Sequence, residues 1–323
     1  MATSSIQSSP LEPFLEAERV VILDGGLATE LESHGFDLND DLWSAKILLE
    51  QPEGIRSVHL DYLRAGADCI ASASYQATLE GFMGRGLSKD AAAELIQGSV
   101  ALALEARDQF WSDPEHRIGR LKPLVAASVG PYGAYLADGS EFRGDYDLDE
   151  DALVDFHRER WCLLASSGAD LLACETIPSR HEARALRRLL EESPDTQALF
   201  SFSCKDGAHI ADGQKLSRAA KMLDLSEQVV AIGVNCTAPQ YVSPLMDEIR
   251  SESAKPIVVY PNSGEGWDAE RKQWTGVAEP VHFGSKATEW FNLGAACIGG
   301  CCRTGPEHVR EIRAALVRAV EGT

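Results

Sequence analysis

Eight times between residues 20 and 302 the chain runs through a short apolar stretch, breaks at small or polar residues, and enters a segment with helical spacing. The stretches are "VVILDGG" at 20–26, "ADCIASASYQ" at 67–76, "PLVAASVGPYG" at 123–133, "ADLLACETIP" at 169–178, "QALFSFSC" at 197–204, "VVAIGVNCTAP" at 229–239, "PIVVYPNSGE" at 256–265 and "AACIGGCC" at 295–302. They are continuously apolar, not alternating, so both faces of each strand must be covered, as in a parallel sheet flanked by helices. Eight strand–helix units without a break in composition predict a single α/β domain, a (β/α)8 TIM barrel with long βα loops, an architecture of about 250 residues. The excess falls in an N-terminal lead and in loops at 133–149 and 263–280. A doubly wound open sheet would put G-x-G-x-x-G after its first strand, where this chain has "DGGLATE". The chain thus divides into a disordered lead over 1–18 and one barrel domain over 19–323.

Between the strands the apolar residues fall at three- and four-residue steps. After Pro52, the residues Ile55, Val58, His59, Tyr62 and Leu63 share a helix face, and near the C-terminus Val309, Ile312, Leu316 and Val320 do so, with Thr304 and Glu307 spaced as a capping box. Charge narrows the partners. With 30 Lys plus Arg against 50 Asp plus Glu, the net charge is −20, which repels phosphate backbones and anionic membrane, so nucleic acid and membrane are not expected partners. No apolar run is long enough to span a bilayer, and "MATSSIQSSPLEPFLEAER" lacks the basic start and apolar core of a signal peptide. Eight cysteines in 323 residues, without secretory features, point to a reducing cytoplasm where thiols are buried or hold metal. A monomer or small homo-oligomer is expected.

Chemistry in such barrels sits at the C-terminal ends of the strands. The residues there are Asp24, Tyr75 and Gln76, Ser128, Glu175, Asn235 and Cys236, Asn262, and the Cys301–Cys302 pair. Cys69, Cys162, Cys174 and Cys297 lie within apolar runs or helical faces, where a thiol behaves as a small hydrophobe. Cys236, Cys301 and Cys302 instead sit at strand mouths, and strands six and eight are separated by one strand only. Three thiolates converging there would make a three-ligand zinc site with one open position; a vicinal disulfide or inert thiols fit the same spacing. Gly299 and Gly300 could turn both adjacent sulfurs toward one ion, and the following helix N-terminus would favour the thiolate. Asp24 and Glu175 fit a glycosidase pair or a site for a substrate ammonium group, while Asp24 also fits a simple turn cap before Gly25–Gly26. Trp43, Tyr75 and Tyr132 near the loop mouths offer aromatic faces to a cationic ligand.

Six segments in order, "ILDGGLATELE", "SVGPYGAYLADGSEF", "ACETIPSRHEA", "GVNCTAP", "YPNSGEGWD" and "GGCCRTGP", resemble the stand-alone homocysteine S-methyltransferases, from about residue 20 to about 318. The resemblance implies a zinc-bearing (β/α)8 barrel that methylates homocysteine to methionine. It assigns Cys236, Cys301 and Cys302 as Zn2+ ligands, and Asp24 and Glu175, with Gly25, Gly26 and Asn235 beside them, to homocysteine. Trp43, Tyr75, Gln76 and Tyr132 become candidates for the methyl donor. The betaine-using branch has a tyrosine after the matching glutamate, whereas this chain has Thr176. The implied donor is therefore a sulfonium, S-methylmethionine or S-adenosylmethionine, with the 133–149 loop placed to close over it.

Overall fold

The computed structural model describes residues 8–38, 44–264, 266–268, 273–275 and 283–321. All eight expected strands form: β1 Val21–Ile22, β2 Cys69–Ala71, β3 Leu124–Val129, β4 Leu171–Ile177, β5 Ala198–Phe202, β6 Val229–Asn235, β7 Ile257–Tyr260 and β8 Ala295–Ile298. From β2 to β8 each pairs in parallel with the next in chain order, and β8 pairs with β1. The ring closes between β1 and β2 through the Leu23–Cys69 bridge, with Asp68 N–H donating to Ile22 O at 2.6 Å and Asp24 N–H to Cys69 O at 3.1 Å. The chain is thus a (β/α)8 barrel. Among the described residues no helix is long and apolar enough to cross a membrane.

Strand residues alternate between two separate apolar clusters, which is why the runs carry no polar face. Ile70, Val125, Leu172, Phe200 and Val259 point outward to the helices, while Val21, Cys69, Ala126, Ala173, Leu199 and Val258 fill the barrel. A repeated Gly-Ala-Asp leads into β2 and β4. Gly66 and Gly168 take positive φ, 113° and 84°, where a helix must end and turn back. Asp68 and Asp170 then accept the N–H of the second residue of a neighbouring strand, from Ile22 at 3.1 Å and Val125 at 2.7 Å. Asp68 is fully buried and is balanced by Arg120 at 3.1 Å and Arg313 at 2.6 Å.

Three expectations change. The lead is not disordered through residue 18: residues 1–7 lie outside the described set, but Glu12–Glu18 is a helix opened by Pro13 in its first turn. Its Leu11 and Phe14 side belongs to the cluster inside the barrel, alongside Leu124 and Leu171, so the segment plugs the barrel floor. The capping box before the last helix does not form. That helix begins at Pro306, and Thr304 Oγ1 donates instead to Cys301 O at 2.6 Å. The 133–149 stretch is not an open loop: it holds a helix at Tyr132–Leu136 and a 3-10 turn at Ser140–Phe142, and Ser203 Oγ donates to Glu141 O at 2.8 Å. Within 263–280 the described part is a two-stranded antiparallel ribbon, Gly266–Asp268 with Gln273–Thr275.

Phe14 is only 2% exposed. Its replacement by Ala is expected to lower the unfolding free energy by about 3 kcal/mol, measured by urea denaturation. A change below about 0.5 kcal/mol would mean that the helix does not help to close the floor.

Candidate metal centre and substrate pocket

The backbone of β7 brings the three rim cysteines together. It lies between β6 and β8, and its end accepts from both: Cys236 N–H donates to Tyr260 O at 3.2 Å, and Cys301 N–H to Pro261 O at 2.8 Å. Cys236 takes a left-handed φ of 46°, a costly conformation for a residue with a side chain, and one that turns the chain sharply as it leaves β6. The three Sγ atoms lie within 4.8 Å of one another, with Cys236 Sγ 3.5 Å from Cys302 Sγ. A tetrahedral ion with metal–sulfur bonds of about 2.3 Å needs sulfurs roughly 3.8 Å apart, so the trio fits a zinc-sized cation with small adjustments. All eight cysteines are free thiols, so the 301–302 pair is not a vicinal disulfide here.

Hydrogen bonds from the Cys236 and Cys302 thiols hold Cys301 well below the usual thiol range. The same bonds, followed by burial, push Cys236 up. One thiolate is therefore favoured among the three, and a soft divalent cation would replace the protons of the other two. The glycines serve close approach. A Cβ on Gly299 would come within 2.6 Å of Leu23 Cβ, one on Gly25 within 2.7 Å of Thr304 O, and one on Gly26 within 2.7 Å of Cys301 O. Neither Gly299 nor Gly300 has positive φ; the left-handed residue of that turn is Arg303, at 64°. The last helix begins four residues past Cys302, and the bonds that lower Cys301 come from thiols, the Cys302 N–H and the Asn235 amide.

Beside the sulfurs is a cavity of about 130 Å3 whose walls include Asp24, Gly25, Gly26, Tyr75, Glu175, Cys236, Cys301 and Cys302. One water needs about 10–15 Å3 on this measure, so the space suits a small organic molecule. Asp24 Oδ2 accepts Ala71 N–H at 2.8 Å. Burial raises the Asp24 carboxyl well above its usual range, against the pull of that N–H, and the Glu175 charge raises it further. Glu175 accepts from Ser128 Oγ and bonds Tyr260; burial pushes it up to about 7. No Lys, Arg or His pairs with either acid among the described residues. Two acids in a mostly apolar cavity without a counterion form a receptor for a cation with several N–H donors.

Asn235 does not reach the cavity. It is fully buried, accepts from Thr176 N–H at 2.7 Å and Ser201 Oγ at 2.8 Å, and donates to Thr176 Oγ1 at 2.7 Å. Its amide also lies 3.9 Å from Cys301 Sγ. Thr176, β-branched, is thereby held at a left-handed φ of 58° directly after Glu175. Of the donor candidates, Tyr75 lines the cavity and Trp43 lies outside the described residues. Gln76 is buried behind Tyr75 and donates from Nε2 to Ala134 O at 3.0 Å. Tyr132 is not brought to the cavity: its ring packs 4.8 Å from Phe156 and 5.2 Å from Tyr146. Tyr260 is the wall residue that the strand pattern hides, because its ring satisfies an inward apolar position while its hydroxyl meets Ser201 at 2.5 Å. The lone polar tip in "PIVVY" was the available signal.

A family model described as Homocysteine S-methyltransferase matches residues 21–316. The chain is 53% identical over 315 residues to Homocysteine S-methyltransferase YbgG of Bacillus subtilis, covering 98% of this chain and 100% of that protein. It is 49% identical over 307 residues to Selenocysteine Se-methyltransferase of Brassica oleracea var. italica, covering 92% and 88%. Among solved structures, the homocysteine methyltransferase MmuM from Escherichia coli in its metallated form superposes with a TM-score of 0.85 at 44% identity, covering 95% of this chain and 99% of that one.

The Glu175 carboxyl gives a pH test. Unfolded, it ionises near 4.5; folded, at about 7. Between these values the folded state binds more protons, so stability is retained below pH 4.5 and lost as pH rises through 7. Glu175→Gln should therefore be more stable than the parent at pH 8, by up to about 3 kcal/mol, with the difference vanishing towards pH 4.5. Thermal melts across that range check it; a pH-independent difference would contradict it.

Proposed function

The chain belongs to the homocysteine S-methyltransferase family and is a methyltransferase; on that premise we propose that it transfers a methyl group from S-methylmethionine or S-adenosylmethionine to homocysteine, giving methionine, with zinc at the three cysteines. One observation carries the proposal: two carboxylates without a counterion share a small cavity with three converging soft sulfur donors. A homocysteine molecule has the complementary ends, an ammonium group and a thiol.

Asp24 and Glu175 would bind the ammonium, and Ser128 and Tyr260 orient the Glu175 carboxylate towards it. Asn235 acts behind the wall as a positioning residue for Thr176 and Cys301. Cys236, Cys301 and Cys302 would hold the ion. Held there, zinc would supply Lewis acidity that keeps a substrate thiol in its thiolate form near neutral pH. In the transfer the homocysteine sulfur forms a bond to the methyl carbon. The donor's methyl–sulfur bond breaks, its electron pair stays on the donor sulfur, and a neutral thioether departs. An anion and a cation thus become two neutral molecules, and Leu23, Leu27 and Leu199 in the walls favour that loss of charge by excluding water. No side-chain base is needed for this step. Free, adjacent thiols at 301–302 fit a reducing cytoplasm.

Cys302→Ala is expected to lower zinc affinity by at least about a hundredfold, beyond the effect of losing a merely supporting partner, and to abolish methionine formation. Metal analysis and a methionine assay check both, and full activity in verified zinc-free protein would refute the metal's role. Glu175→Gln should raise the KM for homocysteine about tenfold with the donor KM unmoved; an unchanged homocysteine KM removes Glu175 from the substrate site.

A further inference from the structure

Two buried side-chain oxygens outside the cavity wall have no hydrogen-bond donor: Gln76 Oε1 and Glu141 Oε2. They come from different loops, after β2 and after β3, but pack on the same helical turn. Gln76 Nε2 donates to Ala134 O at 3.0 Å, which fixes the orientation of the amide, since a flipped one would set its oxygen against that carbonyl. The next residue back, Gly133, has no side chain because a Cβ there would meet the Glu141 N at 2.4 Å. Glu141 is thereby pressed onto the turn that Gln76 grips, and its carbonyl is tied down by Ser203.

Both residues adjoin the cavity through Tyr75. Gln76 follows Tyr75 in the chain, Tyr75 lines the cavity with Cys302, and after burial itself the Glu141 charge is the largest influence pushing the Tyr75 hydroxyl up. The nearby cation, Arg143, is committed elsewhere: it binds Asp138 O at 3.1 Å, Ser140 Oγ at 3.1 Å and Asp145 at 3.2 Å. Burial pushes the Glu141 carboxyl up to about 7, a level from which a bound cation readily draws it into its ionised form. An unmatched amide oxygen and an unmatched carboxylate oxygen, on two residues packed against one turn, call for a ligand that is cationic and has more than one N–H donor. An ammonium group meets that description; a sulfonium, with no N–H, does not.

We propose that Gln76 and Glu141 bind the ammonium group of the methyl donor, and so select sulfonium compounds that carry an amino-acid end. The inference rests on the sulfonium-donor reading above. S-methylmethionine and S-adenosylmethionine share that end. In this arrangement the carboxylate meets the charge that persists through the reaction, not the sulfonium charge that disappears, so donor binding is strengthened without holding the reactant back.

Steady-state kinetics on the full chain at saturating homocysteine test it, with S-methylmethionine and its deamino analogue, (3-carboxypropyl)dimethylsulfonium, as donors. The parent enzyme should show at least a tenfold higher KM for the deamino compound. Glu141→Gln should raise the KM for S-methylmethionine about tenfold, leaving zinc content, the homocysteine KM and the KM for the deamino donor unmoved. An unchanged KM for S-methylmethionine, or equal shifts for both donors, overturns the inference while leaving the proposed function standing. A parent enzyme that uses neither sulfonium donor, S-adenosylmethionine included, overturns both. Should Glu141→Gln fail to fold, Glu141→Asp keeps the charge but shortens its reach, and must raise the S-methylmethionine KM alone.

Discussion

The end of β7 is the template for the site. Its Tyr260 and Pro261 carbonyls accept from Cys236 and Cys301, so the order of strands in the ring and the meeting of the sulfurs are one fact. Pro261 has no N–H of its own to place there, which leaves that point of β7 as an acceptor only. With the strands so held, the remaining freedom is local. Cys236 turns left-handed at φ 46°, and the glycines at 25, 26, 299 and 300 let the first and last strand ends lie backbone to backbone. Strain in a left-handed non-glycine residue persists only where its surroundings over-determine it, and here the bond from Cys236 N–H to the Tyr260 carbonyl of β7 takes part in doing so.

The cavity is organised by charge held out of water. Asp24 and Glu175 share apolar surroundings, and burial raises both carboxyls; the Glu175 charge raises Asp24 further, and the Cys301 charge raises Glu175. Tyr260 takes part on both sides of the wall, bonding Glu175 and meeting Ser201, which in turn bonds Asn235. The polar lattice therefore runs from Glu175 to Asn235, the residue beside Cys301. An ammonium at one end and a cation at the other would neutralise what burial has left uncompensated.

The barrel was legible because a strand covered on both sides must be apolar at every position, and eight such runs leave few other topologies. The three clustered cysteines were legible by position: Cys69, Cys174 and Cys297 sit in the middle of such runs and are buried, while Cys236, Cys301 and Cys302 follow them; only the structure separates these from Cys204, which also ends a run. What sequence pattern could not carry was contact between distant segments. Leu11 and Phe14 look like part of a polar tail until the barrel floor is present to receive them. Thr304 has the spacing of a helix cap, yet a carbonyl three residues back is closer. Asn235 reads as a ligand-facing rim residue, and only the left-handed Thr176 shows what it holds. Glu141 gives no local signal, because the lack of a donor for its Oε2 is a property of the folded loops.

Closure of the ring has a consequence for how the first acid behaves. The join between β1 and β2 is its slightest, a two-residue strand and one bridge, and Asp24 fastens it twice, through its own N–H on Cys69 O and through Oδ2 on the Ala71 N–H. The same carboxylate that would greet an incoming amine is thus a clasp on the wall around it. A ligand held by Asp24 would bind only the closed ring, so occupancy and resistance to unfolding would rise together, and loss of the Asp24 carboxylate would be felt in both.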